Sequence, residues 1–522
     1  MLRGWPGPVF PTNPPSAARP SASSVIRFQF SLSGLSLGKT ELETDHATRE
    51  AGGNGAGRRR GTDEAAAADV RGPPGPARIW LETVGGGRDH VAVTTYSAVR
   101  TTGIYCRPGC GAKPRAENVE TFELPAAAEA AGYRACLRCR PYRVAGEIAE
   151  DTPELVCRAV QLIISGVLDD GNEAAVAARL GVSARHLRRM FHEHLGATPD
   201  QFARSRRAHF ARRLLDDCDL TITEVAFAAG FGSLRQFNRA MREIFRFTPS
   251  ELRERRRRGD PLTADGGLLL RMPFTPPYDW DATARFLAER AIPGIESVQD
   301  GVYRRTIMLD GSPGVLEIGP GGPDHLMLRA HLPYWEGVIH VAERASRLAG
   351  LDLDPGAASA QLAGYPVIGP LVSAHPGLRV PGAWGPFEMA VSTVVSEQLP
   401  GPHAQAGLGR VVRRYGTPIM GLEHGLTHAF PSAEVLAKVA ASEYGLPTPV
   451  GRTITALAQA VQAGTVTLDG SHALPELISS LTAVPGISTA EAQHIALRLG
   501  LRDVYRQRPQ RAEPQAVSSA GG

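Results

Sequence analysis

Four cysteines constrain this chain more than any other feature: Cys106, Cys110, Cys136 and Cys139 fall within 34 of its 522 positions. Their spacing, Cys-x3-Cys, 25 residues, then Cys-x2-Cys, supplies two close thiolate pairs that a fold can gather around one tetrahedral Zn2+. The segment that carries them, Trp80 to Arg143, is too short to hold a large apolar core, so a metal staple is the expected remedy. Six cysteines in all are too few for a disulfide framework, and their clustering points to a reducing compartment. Taken alone, the quartet also suits a zinc ribbon that only holds a small domain together.

At roughly 150 residues per domain, the length predicts three or four units. Gly (57) and Pro (41) are frequent enough that part of the chain is expected to be linker or tail. Residues 1–78 are rich in Pro, Gly, Ser and Ala, contain the run RRRG, show no apolar period and are expected to be disordered. Residues 79–145 form the cysteine segment, with strand-like spacing and one short helix. Residues 150–258 are strongly helical and end in Arg255 to Arg258. Pro261 and Asp-Gly-Gly at 265–267 mark a linker. Residues 268–383 then alternate strand-like pieces (LLLRMPF, YRRTIML, GVLEIGP) with helical ones (WDATARFLAERA, WEGVIHVAERASRLAG), residues 384–505 are mostly helical, and 506–522 form a tail expected to be disordered.

The net charge of +4 is local, because residues 151–258 carry 19 arginines against 14 carboxylates. Only Lys39, Lys113 and Lys438 are lysines, so the positive charge is almost entirely guanidinium, the group suited to bidentate phosphate and guanine contacts. No stretch approaches 18 uninterrupted apolar residues, and prolines occupy the N-terminus where a signal peptide needs its apolar core. The expectation is a soluble, monomeric, cytoplasmic and nucleoid-associated protein without a membrane partner.

Two helix-turn-helix patterns lie about fifty residues apart. In AAVAARLGVSARHLRRMFHEHLG, Gly181 makes the turn and Ser183 caps a helix whose Leu187, Met190 and Phe191 face inward. Its polar face presents Arg185, His186, Arg188 and Arg189. In ITEVAFAAGFGSLRQFNRAMREIF, Gly230 turns, Ser233 caps, Phe237 faces inward, and Leu234, Arg235, Gln236, Asn238 and Arg239 face outward. Arg, Gln and Asn near a recognition helix's N-terminus are the side chains that read base edges in the major groove. The stretch FAAGFGSLRQFNRAMREIFRFTPSELR resembles the AraC-type DNA-binding domain, which implies two helices entering successive major grooves from one chain.

TTGIYCRPGC, RAENVETF and AAEAAGYRACLRCRP resemble the N-terminal zinc domain of Ada-type adaptive-response proteins over nearly the whole cysteine segment. The resemblance implies that Cys106 is both ligand and methyl acceptor from a DNA methylphosphotriester. The chemistry is sound, because a zinc-bound thiolate stays deprotonated at neutral pH and needs no general base. A thioether does not revert, so the reaction is stoichiometric. Four thiolates and Zn2+ sum to −2 and methylation leaves −1, so the modified site repels phosphate less. Arg107, Lys113, Arg115, Arg134, Arg138 and Arg140 are candidate phosphate contacts.

MPFTPPYDWDATARFLAERAIPGIESVQDGVYRRTI and HPGLRVPGAWGPFEMAVSTVVSEQL resemble the bacterial inducible 3-methyladenine DNA glycosylases, an AlkA-type N-terminal domain followed by the start of a helical domain. LTAVPGISTAEAQHIALRLG reads as a helix-hairpin-helix whose turn, at Gly486 and Ile487, offers backbone N–H groups to a DNA phosphate. The family pattern departs here: PGIS replaces PGIG, Ala490 and His494 stand where the family has aromatics, and Pro509 holds the place of the catalytic aspartate. Neither proline nor the neighbouring Arg506 and Arg508 can stabilise an oxocarbenium-like sugar or activate water. No lysine follows Lys438 to form a Schiff base. The resemblance fades at Tyr505, so this module is expected to be truncated.

These readings make an α+β multidomain chain: a small Zn(Cys)4 domain, an all-α tandem helix-turn-helix domain, an α+β TBP-like domain and a helical helix-hairpin-helix glycosylase-like domain. The expected function is methyl transfer from DNA methylphosphotriesters to zinc-bound Cys106, converting the protein into a sequence-specific transcriptional activator with alkylated DNA, an operator and RNA polymerase as partners. Two alternatives stay open. One adds turnover excision of alkylated purines by base flipping; the other makes the quartet a structural ribbon in a non-enzymatic regulator.

Overall fold

The computed structural model describes residues 95–143, 152–169, 171–262, 267–351, 368–399 and 401–501. The expectations placed on residues 1–78, on the tail from 506 and on Pro509 lie outside them.

The cysteine segment folds as four short strands, β1 (Tyr96–Val99), β2 (Ile104–Cys106), β3 (Val119–Phe122) and β4 (Arg134–Ala135), in the order β3-β1-β2-β4, with helix α1 (Pro125–Ala130) against them. β4 runs parallel to β2, with Ile104 opposite Arg134 and Tyr105 opposite Ala135. That pairing brings the second cysteine pair, which follows β4, back to the end of β2 where the first begins.

Seven helices follow: α2 (Glu154–Ile164), α3 (Glu173–Arg179), α4 (Ala184–Leu195), α5 (Pro199–Asp217), α6 (Ile222–Ala228), α7 (Leu234–Phe245) and α8 (Pro249–Glu254). Local chemistry sets their starts. Ser183 accepts from the N–H of His186, Ser233 from that of Gln236, and Thr198, Thr221 and Thr248 form capping boxes with Gln201, Glu224 and Glu251. The long α5 joins the two helix-turn-helix units and buries Phe202, Ala208, Phe210, Leu214 and Leu215, together with the charged Arg212, Asp216 and Asp217. A helix buried on more than one side needs partners for its charges, and it finds them in the neighbouring segments.

Next comes a five-stranded antiparallel sheet, β5 (Leu268–Pro273), β6 (Glu296–Gln299), β7 (Val302–Leu309), β8 (Ser312–Gly322) and β9 (His325–His331), ordered β5-β9-β8-β7-β6. β5 and β9 alternate buried and half-buried residues, as a sheet with one covered face requires. Helices α9 (Trp280–Arg290) and α10 (Val338–Leu348) pack with it. The remaining described part is helical: α11 (Ile368–Ala374), α12 (Pro386–Gln398), α13 (Gly401–Tyr415), α14 (Ala433–Leu436), α15 (Thr448–Gln462), α16 (Leu474–Thr482) and α17 (Thr489–Arg498), with a small pair of strands, β10 (Thr417–Pro418) and β11 (His428–Ala429). The fold is thus the α+β mixture that the sequence implies.

The apolar cores do not follow the sequence segments. One continuous cluster runs from Tyr96 and Tyr105 through Leu214, Phe237 and Phe245 to Leu270, Leu328, Val341 and Trp384. A second fills the C-terminal helices, and a third joins Leu124 and Ala126 to the first helix-turn-helix through Val160, Leu187 and Phe191. Arg305, fully buried on β7, donates from Nη2 to both carboxylate oxygens of Glu388 on α12 (2.9 and 2.8 Å), which fixes the sheet to the helical part.

Candidate functional site

The strand end at Cys106, the turn to Cys110 through Gly109 (φ +72°), and the loop after β4 converge so that the four sulfurs lie within 4.8 Å of one another. Cys136 N–H donates to the Tyr105 carbonyl (3.0 Å) and Arg140 N–H to the Cys136 carbonyl (3.0 Å), which fixes both ends of the second pair. Zn–S bonds of about 2.3 Å place tetrahedral sulfurs about 3.8 Å apart, so the spacing fits one ion.

The charge of the donor set makes the same point. Hydrogen bonding with Cys136 first, and with Cys139 next, holds the Cys106 thiol far above the usual range. The bond with Cys106 holds Cys136 far below it. Cys139, which its bond with Cys106 alone would lower, is pushed up to about 12 by Cys136 and burial. Four sulfur anions cannot coexist at this distance unaided; a divalent cation between them removes the conflict. Cys106 is 7% exposed and the most enclosed of the four.

The surroundings of the cluster divide in two. Lys113, Arg115 and Arg138 are exposed and Arg107 and Arg134 half-buried. Arg140, a phosphate-contact candidate by sequence, is put to another use. At φ +53° it turns inward, is 6% exposed, and donates from both terminal nitrogens to Asp260 (2.7 and 2.6 Å). Asp260 belongs to a buried network in which Tyr142 donates to Asp216 (3.0 Å), Arg143 to Asp217 (2.9 Å) and Arg271 to Asp217 (2.7 Å). The group immediately after the last cysteine is therefore tied to α5, to the connection after α8 and to β5 of the sheet.

A second bridge starts at Tyr105, next to Cys106. Its hydroxyl donates to Glu129 on α1 (2.7 Å), and His209 Nε2 on α5 lies 2.6 Å from the same carboxylate oxygen. Burial first, then the charge of Glu129, raises the Tyr105 hydroxyl well above its ordinary range. Residue spacing reveals neither bridge, because each joins groups far apart in sequence.

The candidate base-reading residues sit on the two capped helices. On α4, Arg185 is exposed, whereas Arg188 donates from Nε to Glu173 (2.9 Å) and Arg189 contacts His186 (3.2 Å). On α7, Leu234, Arg235, Gln236 and Arg239 are exposed, and Asn238 donates to the Leu234 carbonyl (2.8 Å). Arg235, Asn238, Arg239, Arg242 and Arg246 line one open hollow of about 520 Å³ along α7. The α7 face therefore gathers four guanidiniums, two of which, Arg242 and Arg246, the sequence reading did not single out.

At the C-terminal hairpin, Gly486 has φ +93°, and an added Cβ would lie 2.0 Å from Thr453 Oγ1. No other residue fits there. Ile487 is buried and its N–H donates to the Val484 carbonyl (3.1 Å), while Ser488 and Glu491 form a capping box on α17. Gln398 donates to the Gly486 carbonyl and to Glu491 (both 3.1 Å). Beside the hairpin is a hollow of about 510 Å³ lined by Glu397, Gln398, Arg452, Thr453, Gly486 and Glu491 among others. No described helix is long and apolar enough to cross a membrane.

Three family models match in succession: the metal binding domain of Ada over residues 88–142, a helix-turn-helix domain over 176–255 and the AlkA N-terminal domain over 269–385. The chain is 37% identical over 410 residues to a probable bifunctional transcriptional activator/DNA repair enzyme AlkA of Mycobacterium tuberculosis, covering 78% of this chain and 82% of that protein. It is 29% identical over 232 residues to the DNA-3-methyladenine glycosylase 2 of Escherichia coli, covering 43% of this chain and 78% of the enzyme. It is also 32% identical over 158 residues to the bifunctional transcriptional activator/DNA repair enzyme Ada of Escherichia coli, covering 30% of this chain and 43% of that protein. The donor set, its spacing and the matching metal-binding domain make Zn2+ the cofactor.

Proposed function

The chain belongs to the family of bifunctional transcriptional activator/DNA repair proteins, and on that premise we propose that Cys106 takes the methyl group of a DNA methylphosphotriester and so turns the protein into an activator. The observation that carries this reading is the gathering of four cysteine sulfurs within 4.8 Å, in a domain packed directly on the helix-turn-helix units.

Bound Zn2+ keeps its four sulfurs deprotonated at neutral pH and supplies a positive centre. Cys106 sulfur attacks the methyl carbon in line. A sulfur–carbon bond forms, the carbon–oxygen bond breaks, and the electron pair leaves with the phosphodiester oxygen as its anion. No proton moves, so no general base is required. Cys110, Cys136 and Cys139 stay in place and the site loses one negative charge. Arg107, Lys113 and Arg115 hold the phosphate during attack.

Methylated protein is expected to bind its operator more tightly than unmethylated protein, with a steeper dependence of log K on log salt, because less negative charge faces the phosphates. Equal slopes for the two forms would remove the electrostatic switch. Base reading falls to Arg185, His186, Arg188 and Arg189 on α4 and to Arg235, Gln236, Asn238 and Arg239 on α7; at the hairpin the Gly486 turn contacts a DNA phosphate, whereas Ile487, expected from sequence to donate there, is buried and gives its N–H to the Val484 carbonyl. Arg235→Ala is expected to cost about 1–3 kcal/mol of operator binding and to relax specificity at one position. Arg188→Ala should cost less, because Glu173 already holds that guanidinium. A titration of both variants against the operator and against single-base operator mutants checks the order.

The protein acts as a monomer in the cytoplasm, on the nucleoid, and recruits RNA polymerase once methylated. The segments divide as 79–145 for methyl acceptance, 150–258 for operator binding and 268–505 as a glycosylase-like half that contributes DNA contact and not excision. Release of abasic sites from alkylated duplex over many turnovers would overturn that last assignment.

A further inference from the structure

Helix α10 has two faces, and only one of them belongs to its own sheet. Val338, Val341, Ala342, Ala345 and Leu348 are buried in the core that the sheet shares. Gly337, His340, Glu343 and Arg347 follow one another at spacings of three, three and four, which places them on a separate stripe of the helix. A polar stripe on a surface helix is ordinarily left to water. Here each of its members meets the helix-turn-helix units instead. Gly337 N–H donates to the Phe227 carbonyl near the end of α6 (3.1 Å). His340 donates from Nδ1 to the Ile164 carbonyl at the end of α2 (3.0 Å), and its Nε2 meets Asp169. Glu343 pairs with Arg206 on α5 (2.5 Å), and Arg347 donates to Gln161 on α2.

The grip reaches both recognition helices through the packing beneath them. α2 carries Val156, Val160 and Ile163 into the same core as Leu187 and Phe191 of α4, so holding α2 holds α4. At the other unit, Ile339 lies against Gly230, the turn between α6 and α7, where an added Cβ would stand 3.4 Å from its Cγ2. Phe231, next in the chain, packs its ring on Phe237 of α7, with centroids 5.3 Å apart. A second contact secures the other end of α2. Arg158 donates to the Ser471 carbonyl (2.8 Å), Glu154 accepts from the N–H of Leu474 at the start of α16 (3.1 Å), and Arg179 on α3 stands 3.8 Å from Asp469. Asp169 is itself shared, since Arg207 on α5 donates to it (2.5 Å) and to the Leu168 carbonyl (2.8 Å). Burial alone would raise the Asp169 carboxyl, but hydrogen bonding with His340, and then the charge of Arg207, hold it below the usual range. None of these contacts involves a candidate base-reading side chain, and Arg185, Arg189, Arg235, Gln236 and Arg239 stay exposed.

We propose that the glycosylase-like half is a brace for the operator-binding unit, in which α10 and the 469–474 segment fix α4 and α7 at the separation and angle that two successive major grooves require. A link through α5 alone leaves the two units free to swing about one helix, and the second link along α10 removes that freedom. A unit already aimed when its neighbour binds loses little orientational freedom, so the second contact forms at high effective concentration. The uncovered recognition faces set the sign of the effect. A contact that masked them would inhibit; this one leaves them open, so loosening it weakens operator binding. The role needs no catalytic carboxylate. It rests on the reading that both helix-turn-helix units engage one operator.

The test uses the full zinc-loaded chain, a duplex that it selects from a random pool, and the same duplex with two base pairs inserted between the two protected grooves. The insertion turns one groove away from the other by about 70°. The unaltered chain is expected to lose about 100-fold in affinity on it, because one of two linked contacts fails. Glu343→Arg sets two guanidiniums against each other at a half-buried position. It should bind the parent duplex about 10-fold more weakly and lose only about 10-fold on the insertion. The exchange Arg206→Glu/Glu343→Arg rebuilds the pair with its signs reversed and should restore both values, which a folding defect would not allow. Arg347→Met, at the α2 contact, should shift the same ratio in the same direction. Variants that keep the full penalty on the insertion, or that bind the parent duplex more tightly, overturn the brace alone. An unaltered chain indifferent to the insertion overturns the two-groove reading together with it.

Discussion

Full-length protein carrying Cys106→Ser is expected to take up no methyl group from methylphosphotriester DNA, whereas the unaltered chain takes up one and then stops. Intact-mass and peptide mass spectrometry read both results. The effect is total because the transfer consumes one sulfur per protein and offers no bypass. Cys110, Cys136 and Cys139 share the cluster and are less enclosed, so exposure alone would favour one of them. Cys106 is distinguished by its place at the end of β2, beside the buried Tyr105–Glu129–His209 bridge to α5. Enclosure also strips water from the attacking sulfur, and a desolvated anion is the better nucleophile. Methyl found on another cysteine, or on none, would make the quartet a structural ribbon. A zinc assay keeps the outcome interpretable. Cys106→Ser that retains stoichiometric zinc isolates the loss of nucleophile from loss of the metal.

Asp260→Ala is expected to destabilise the chain by about 3–5 kcal/mol, because it strands the buried guanidinium of Arg140. The loss of a bidentate pair at 2.7 and 2.6 Å, with Arg140 6% exposed, leaves only the more distant Asp216 at 3.6 Å. Chemical denaturation read by tryptophan fluorescence and by zinc release gives the measurement. A change within about 0.5 kcal/mol, the usual range for surface substitutions, would show that the network carries no such load. Acid should produce the same loss gradually. Burial alone would raise Asp260, but hydrogen bonds from Arg140 hold its carboxyl below the usual range. Its contribution is therefore present above the unfolded carboxylate value and is lost as pH falls through the lower, folded value. Asp217 works the other way, since burial lifts its carboxyl. The acid limb of the Asp260 variant should thus be flatter than that of the unaltered chain.

Both predictions depend on how the cysteine domain is anchored, and that anchoring separates what the residues announce from what the fold decides. The metal cluster was legible because its ligands come in two pairs, each closed within four or five residues, and such spacing needs no knowledge of the rest of the chain. The recognition helices were legible for the same reason. Ser183 and Ser233 cap the N–H groups three residues on, and Leu187, Phe191 and Phe237 repeat at helical spacing, so start, register and buried face follow from local sequence. Strands β6 and β9 were not singled out beforehand: β6 is four half-buried or exposed residues that gain their stability from β7, and β9 carries His and Arg on its half-buried face and is fixed by pairing with β5 and β8.

Among 54 arginines nothing in the sequence marks which ones face solvent, which meet a carboxylate and which meet neither. Arg140 lies two residues after Arg138 in a cationic stretch that looks fit for DNA, yet its partner Asp260 is 120 positions away. Arg305 and Glu388 are 83 apart, and Arg290 and Arg498 share one aromatic ring from opposite ends of the C-terminal half. Amino-acid order determined the metal-binding cluster, the capped helices and the family, since all three reside in short-range patterns. Only the tertiary structure decided which charges are neutralised inside and which stay exposed, because Coulomb energy depends on distance through space and on burial, and neither is a property of position along the chain.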